Sequence, residues 1–131
     1  MGSVPLRAIR RVTGTITQDG GAVETTILTS AKIQTPNPDC TVNLSGELNI
    51  IAGTAATEIV IGIYRGTLAG GNRIYTDQGT TVVAGNYYSI PFYVSDQPGD
   101  VDGLTYDVTV REISATGNGF PQESSIGGYI S

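Results

Sequence analysis

The side chains that most often carry catalysis are scarce in this sequence. It contains no histidine and a single cysteine, Cys40, which excludes Ser-His and Cys-His catalysis and imidazole-based zinc sites. A lone cysteine cannot form an intrachain disulfide, so we expect Cys40 to be a small, partly buried thiol. Composition does not exclude a carboxylate pair of the glycosidase type, but the acids fall mostly in predicted loops or on polar strand faces. We therefore expect no enzymatic activity.

Acidic residues cluster in the segment from Ser95 to Gly103. Asp96, Asp100 and Asp102, with Asp107 nearby, supply the hard oxygen ligands that calcium prefers. The same residue types are also common turn formers, and the spacing is only a fragment of a calcium-loop pattern. We favour the solvated turn, and we predict neither a bound metal nor a cofactor.

Charge is distributed unevenly along the chain. The net charge is −5, from 7 basic and 12 acidic side chains, yet three arginines and no acid lie in the first eleven residues. An acidic body is unsuited to binding nucleic acid. We predict an N-terminal arm over residues 1–21 that either docks on an acidic protein surface or remains a solvated terminus. Its candidate docking residues are Leu6, Arg7, Ile9, Arg10 and Arg11.

The rest of the chain alternates between apolar and polar residues in short segments. This period of two predicts β-strands separated by Gly, Pro, Asn and Asp turns, and no stretch has helical periodicity. About eight such strands predict an all-β sandwich or barrel, formed as a single domain by residues 22–131. No apolar run is long enough to cross a membrane and no signal-peptide pattern is present, so we expect synthesis in the cytoplasm and no membrane partner.

The predicted strand Ile59–Tyr64 is apolar on both faces, which indicates that both faces are covered. Its isoleucines form one face, while Val60 and Tyr64 lie on the other. Tyr87 and Tyr93 likewise fall outside the obvious core. Two interpretations remain open for these four residues: a second core face of the same molecule, or a subunit interface, where tyrosine is enriched.

Several short motifs carry a family resemblance. They are Thr41-Val42-Asn43-Leu44-Ser45-Gly46, Tyr64-Arg65-Gly66-Thr67, Gly71-Asn72-Arg73-Ile74-Tyr75, Ser89-Ile90-Pro91-Phe92, Asp96-Gln97-Pro98-Gly99 and Tyr106-Asp107-Val108-Thr109-Val110. With them, the region Thr25–Ile130 is similar to the small jelly-roll domains of phage head decoration (cement) proteins. Those domains in turn resemble the trimeric heads of tumour-necrosis-factor and complement-type proteins.

The resemblance implies a jelly roll, usually a homotrimer, without catalytic residues. It implies a structural virion protein that binds the outer surface of a tailed-phage capsid and stabilises it, with the major capsid protein as partner and the host cytoplasm as the place of synthesis. The alternative is a receptor- or glycan-binding module of a phage tail or a bacterial surface. The absence of tryptophan argues mildly against stacking on sugars.

Overall fold

Two antiparallel β-sheets make up the computed structural model of this chain, which describes residues 7–14, 24–52, 57–76, 79–83, 85–112, 119–121 and 123–131. Within these ranges the strands are β1 (Arg7–Gly14), β2 (Thr25–Thr29), β3 (Val42–Ala52), β4 (Thr57–Arg65), β5 (Asn72–Thr76), β6 (Thr80–Val82), β7 (Tyr87–Asp96), β8 (Tyr106–Glu112), β9 (Gly119–Pro121) and β10 (Ser124–Ile130). No helix in these ranges is long and apolar enough to cross a membrane.

The strand order is that of a jelly roll. Sheet A has the order β1-β10-β3-β7, and sheet B has the order β2-β8-β4-β5. Most neighbours in each sheet are distant in sequence, as the two interleaved Greek keys of this fold require. Two three-residue strands are added, β9 on β3 and β6 on β4. The predicted all-β jelly-roll sandwich of about eight strands is therefore confirmed.

The core lies between the sheets and follows the period of two. On β3 the inward side chains, from Val42 to Ile50, are fully buried, as are the three isoleucines of β4. Gly46 occupies an inward position of β3 where a Cβ atom would collide with the backbone carbonyl oxygen of Ser125 on β10 and lie 2.7 Å from Cζ of Phe92. A side chain there would collide with the core, so the glycine permits the close approach that its place in the apolar series predicts.

The N-terminal segment departs from the predicted arm. Residues 7–14 form β1, which pairs antiparallel with β10 inside sheet A, from Arg7 opposite Ile130 to Gly14 opposite Ser124. The register shifts between Ile9 and Val12, which indicates a bulge at the two intervening arginines. The bulge interrupts the apolar alternation, and for this reason the pattern did not reveal a sheet strand. Leu6 and the remainder of residues 1–21 lie outside the described residues.

Strand β7 is an edge strand of sheet A. Among the described residues its only strand partner is β3, and Pro91 lies opposite Glu47 in that pairing. Proline has no N–H to donate, so its place in the sequence predicts an edge or a bulge, and the edge is what the structure has. Among the described strands β1 is the opposite edge, so sheet A has four principal strands between these two edges.

Candidate partner-binding surfaces

The four residues predicted for a subunit interface lie on two different surfaces. Tyr87 and Tyr93 project from β7 on the outer face of sheet A, whereas Val60 and Tyr64 project from β4 on the outer face of sheet B. Alternation along a strand shows which residues share a face, but it does not show to which sheet the strand belongs. The two pairs therefore lie on opposite outer faces of the sandwich, and the subunit-interface role of the four residues stays a prediction.

The outer face of sheet A carries most of the exposed apolar surface. We call it the tyrosine face, formed by the outward side chains of β1, β10, β3 and β7. Four of the five exposed large hydrophobic side chains in the described residues lie there: Ile51 (37% exposed), Tyr87 (59%), Tyr93 (57%) and Tyr129 (40%). Ile51 and Tyr87 are directly opposite each other in the ladder. Such a concentration on one flat sheet is typical of an interaction surface.

The side chains between the tyrosines are small or hydrogen-bonded in place. Ser45 separates Tyr93 from Gly127 across the ladder. The hydroxyl of Tyr93 donates to Oδ1 of Asn43 at 3.1 Å, and Oγ of Ser95 donates to the same oxygen at 2.9 Å. Tyr93 therefore presents a ring whose hydroxyl is already fixed, which lowers the entropic cost of binding a partner.

Part of the outer face of sheet B is covered by the chain itself. The carboxylate of Glu24 lies over Gly62, where it accepts hydrogen bonds from Oγ1 of Thr109 at 2.5 Å and the hydroxyl of Tyr64 at 2.9 Å. Nη2 of Arg73 donates to both carboxylate oxygens, at 2.6 and 2.7 Å. We call these residues the Glu24 cluster. Tyr64 is only 9% exposed beneath it, so the second cover predicted for β4 is supplied for Tyr64 within the molecule.

The surroundings of Glu24 favour its charged carboxylate over the protonated form. Burial raises the pKa of Glu24, but the hydrogen bonds from Thr109 and Tyr64 and the positive charge of Arg73 outweigh it and hold the pKa below its usual value. Burial, together with the hydrogen bond to Glu24, raises the pKa of Tyr64. The cluster thus satisfies its own charges and leaves little for a partner to neutralise.

A second ion pair, in which Asp96 is buried and Arg65 is partly exposed, joins the two sheets at one end of the sandwich. Asp96, the last residue of β7, accepts from Nε of Arg65 at 2.8 Å, from Nη2 of Arg65 at 2.5 Å and from the hydroxyl of Tyr106 at 2.6 Å. Burial raises the pKa of Asp96, but the hydrogen bonds from Arg65 and Tyr106 outweigh it and lower the pKa. Burial and the hydrogen bond to Asp96 raise the pKa of Tyr106.

The four acids considered for a calcium loop do not converge. Asp96 is bound to Arg65, and Asp107 accepts from Oγ1 of Thr29 at 2.9 Å on the outer face of sheet B. Asp100 and Asp102 are exposed in the turn between β7 and β8. In the part of the chain that the structure describes, no three His, Cys, Asp or Glu side chains come together to hold a metal ion.

The predicted docking residues of the arm are separated by β1. Ile9 is 8% exposed and belongs to the core, so it is unavailable to a partner while β1 is paired. Nη1 of Arg11 donates to Oγ of Ser125 at 2.9 Å at the border of the tyrosine face. Arg10 is exposed and lines a cavity on the other side of the strand. The role of these arginines in docking stays a prediction.

Comparison with known proteins gives fold likeness alone. No protein-family model and no curated protein matches the chain. Among solved structures it is similar to a chain of infectious bursal disease virus Gx strain, with a TM-score of 0.61, 15% identity and coverage of 98% of this chain and 32% of that one. The VP2 subviral particle of the same virus gives a TM-score of 0.59 at 14% identity, covering 95% and 32%.

Particles with T=1 symmetry derived from infectious bursal disease virus give a TM-score of 0.56 at 12% identity, covering 96% of this chain and 34% of that one. The chain thus spans about a third of the length of each of these viral chains. At such low identity, the likeness shows that the chain shares the β-sandwich fold of those viral chains. It shows nothing about function.

Proposed function

We propose that this chain is a structural virion protein that binds the outer surface of a tailed-phage capsid as a homotrimer and stabilises it, as decoration proteins do. The observation that carries the proposal is the tyrosine face, an open sheet surface with Tyr87, Tyr93, Tyr129 and Ile51 exposed together. Tyrosine is enriched at protein interfaces, and its ring is large and rigid. The jelly-roll fold, shared with chains from viral particles, supports the assignment to a virion.

The size of the tyrosine face is consistent with a subunit contact. A fully buried aromatic side chain removes about 150–250 Å² from water, and these side chains are about half exposed in the single chain. The four large residues would therefore bury on the order of 400 Å², roughly half of what one partner contributes to a standard interface. The exposed residues Glu47, Ser89, Pro91 and Ser95 lie on the same face and would supply part of the remainder.

Stabilisation of a capsid would follow from many such contacts acting together. A trimer presents three copies of each docking surface to the major capsid protein, so modest single contacts combine into strong attachment. Arg10, which is exposed on the N-terminal strand, is suited to meet shell carboxylates. Binding to the folded shell but not to its dissociated subunits then stabilises the particle by mass action, without any catalytic step.

The oligomeric part of the proposal is tested with a double variant, Tyr87→Ser with Tyr93→Ser. Sedimentation should give a trimer for the unchanged protein and a 13.6 kDa monomer for the variant, with the same circular dichroism spectrum. Val83→Ser is the matched control, because Val83 is 51% exposed but lies outside the tyrosine face. A monomer at high concentration that also fails to form trimers on particles would contradict the proposal.

The capsid part is tested on purified particles. The chain should be present in a fixed ratio to the shell protein, and particles stripped of it should lose their contents at a lower temperature and regain stability when it is added back. A ratio that varies from one preparation to the next, or stripped particles of unchanged stability, would contradict a stabilising role.

A receptor- or glycan-binding module is the second candidate, favoured by the polar group beside Tyr93. The exposed ring of Tyr93 offers a stacking surface, and the exposed hydroxyl of Ser95 beside it can accept a hydrogen bond while it donates to Asn43. This function predicts saturable binding of oligosaccharide to the intact protein and its loss in Tyr93→Ser, with the trimer unchanged. Loss of the trimer in that variant, without any sugar binding by the intact protein, would favour the capsid role.

A further inference from the structure

A cavity of about 770 Å³ opens between the two sheets at the side where β1 and β2 are the edge strands. We call it the basic groove. Its floor is apolar, from side chains that also belong to the core or pack on it, and its rim is cationic. The residues that matter for the argument are Ile9, Val12, Ile33 and Ile130 on the floor and Arg10 and Lys32 on the rim.

The charge of the basic groove is opposite to that of the chain. The chain has 12 acidic side chains and a net charge of −5, yet among the described residues the lining of the groove contains two cations and no Asp or Glu. Arg10 and Lys32 are both exposed, and the ion pairs within the described residues involve other cations, Arg65 and Arg73. The groove is therefore complementary to an acidic ligand.

The backbone around the groove is suited to an extended ligand. Among the described strands β1 pairs with β10 alone and β2 pairs with β8 alone, so each has one side without a strand partner. Such edges bind extended peptides by adding a strand, whose alternate side chains then enter the neighbouring pocket. The stretch of β1 from Ala8 to Val12 spans about 13 Å at 3.3 Å per residue and contains the bulge at Arg10 and Arg11, so it suits a short segment.

We propose that the basic groove captures an extended segment of a protein partner in which carboxylates alternate with apolar side chains. The apolar residues would pack on Ala8, Val12 and Ala31, which remain at least partly exposed above the buried Ile9, Ile33 and Ile130. The carboxylates would meet Arg10 and Lys32 at the rim. The proposal deepens the proposed function and rests on it for the identity of the partner, since the segment would belong to the capsid shell. The docking element is then a receiving groove instead of an inserted arm.

The acidic segment of the chain itself does not fit this role for a second copy. Asp100, Val101 and Asp102 have the required alternation, but their backbone is engaged within the molecule. The carbonyl of Val101 accepts from the N–H of Thr35 at 3.0 Å, and its N–H donates to Oγ1 of Thr35 at 2.9 Å. These bonds fix the segment against its own molecule, so a foreign segment is the better occupant.

The experiment uses the full chain and a fluorescent ten-residue peptide of alternating Val and Asp, with binding followed by anisotropy. We expect saturable binding that weakens with added salt, and at least tenfold weaker binding of the same peptide with Lys in place of Asp. Arg10→Gln and Lys32→Gln should each weaken binding by about threefold to tenfold, as expected for partly exposed charge contacts. Arg11→Gln is the matched control, because Arg11 lies on the same strand but contacts Ser125 on the outer side.

Three results would overturn the groove proposal: equal binding of the Asp and Lys peptides, no binding at millimolar peptide, or an equal effect of Arg11→Gln and Arg10→Gln. Self-association of the unliganded chain that is lost in Arg10→Gln would also overturn it, by assigning the groove to a second copy.

Particle binding separates the two proposals. If Arg10→Gln with Lys32→Gln still binds particles fully, the groove proposal fails and the capsid role stands. If the unchanged protein binds no particles, the capsid role fails. The peptide measurement then still tests whether the groove binds an acidic segment.

Discussion

Changing Tyr106 to Phe removes one hydroxyl from the interior of the sandwich and leaves the ring in place. The side chain is fully buried, and its hydroxyl donates to Oδ2 of Asp96 at 2.6 Å. A hydrogen bond to a charged group contributes about 1.5–3 kcal/mol, and Asp96 keeps its ion pair with Arg65 in the variant, so we expect a loss of about 2 kcal/mol. For a domain of this size, such a loss lowers the melting temperature by roughly 6–10 °C.

The pH dependence of this variant follows from the pKa of Asp96. The folded-state pKa lies below the unfolded-state value of about 3.9, so the carboxylate stabilises the fold above that value and loses this contribution as the pH falls through the folded-state pKa. Removing the Tyr106 hydroxyl takes away one of the hydrogen bonds that lower the pKa. The variant should therefore unfold at a higher pH in an acid titration, and its deficit in stability should be smaller in acid than at pH 7.

Urea unfolding at neutral pH and below the folded-state pKa measures both effects. Tyr88→Phe is the matched control, because the hydroxyl of Tyr88 accepts a bond from the uncharged N–H of Val83 at 2.9 Å. It should cost about 1 kcal/mol or less at either pH. An equal loss for Tyr106→Phe at the two pH values, or a loss at pH 7 no larger than that of Tyr88→Phe, would refute the assigned role of Asp96.

Three other perturbations test the fold and the Glu24 cluster. Gly46→Ala should destabilise the protein by about 1–3 kcal/mol or more in urea, because the new Cβ would collide with the backbone carbonyl of Ser125 on β10 as well as with the ring of Phe92; an unchanged midpoint would mean that β10 moves aside easily. Glu24→Gln should cost about 1 kcal/mol of stability at pH 7 and little in acid. Because the pKa of Glu24 is lowered in the folded state, its carboxylate stabilises the fold above about pH 4.3, and this contribution disappears as the pH falls through the folded-state pKa. A loss of stability that does not depend on pH would contradict this. Ile61→Ala should cost about 2–5 kcal/mol and Val60→Ala clearly less, because Ile61 is fully buried and Val60 is not; equal losses would place both residues in the core.

Local alternation predicts much of this sandwich from sequence. In β3 and β8 every second residue is apolar, and the structure buries those residues between the sheets. The polar residues of β8 depart from the simple pattern. By alternation Asp107 and Thr109 are predicted to face solvent, yet Asp107 is 6% and Thr109 0% exposed. Their cover comes from Glu24 and from the turn at Leu68, both distant in sequence, and a local pattern carries no information about such contacts.

A local sequence pattern also does not show to which sheet a strand belongs, and this decides on which surface each candidate residue lies. The sequence correctly indicates that Tyr64 and Tyr87 point away from the inward residues of their own strands. Strand order decides the rest, placing one under the Glu24 cluster and the other on the open tyrosine face. In the same way, Arg10 and Arg11 are neighbours in the chain, but the bulge in β1 separates their side chains, and only Arg10 lines the basic groove.

The central position of β10 in sheet A has a consequence for how the chain acquires its shape during synthesis. β10 is the last of the described strands to leave the ribosome, yet it lies between β1 and β3, which are made early. Among the described strands β1 has no other partner, and β3 can pair only with β7 and β9 until β10 arrives. The nascent chain therefore keeps β1 and part of one edge of β3 unpaired until β10 has been made. All-β folds with such distant pairings form slowly, in about milliseconds to seconds, and are prone to aggregate meanwhile. Yield in a heterologous host should therefore depend on translation rate and temperature.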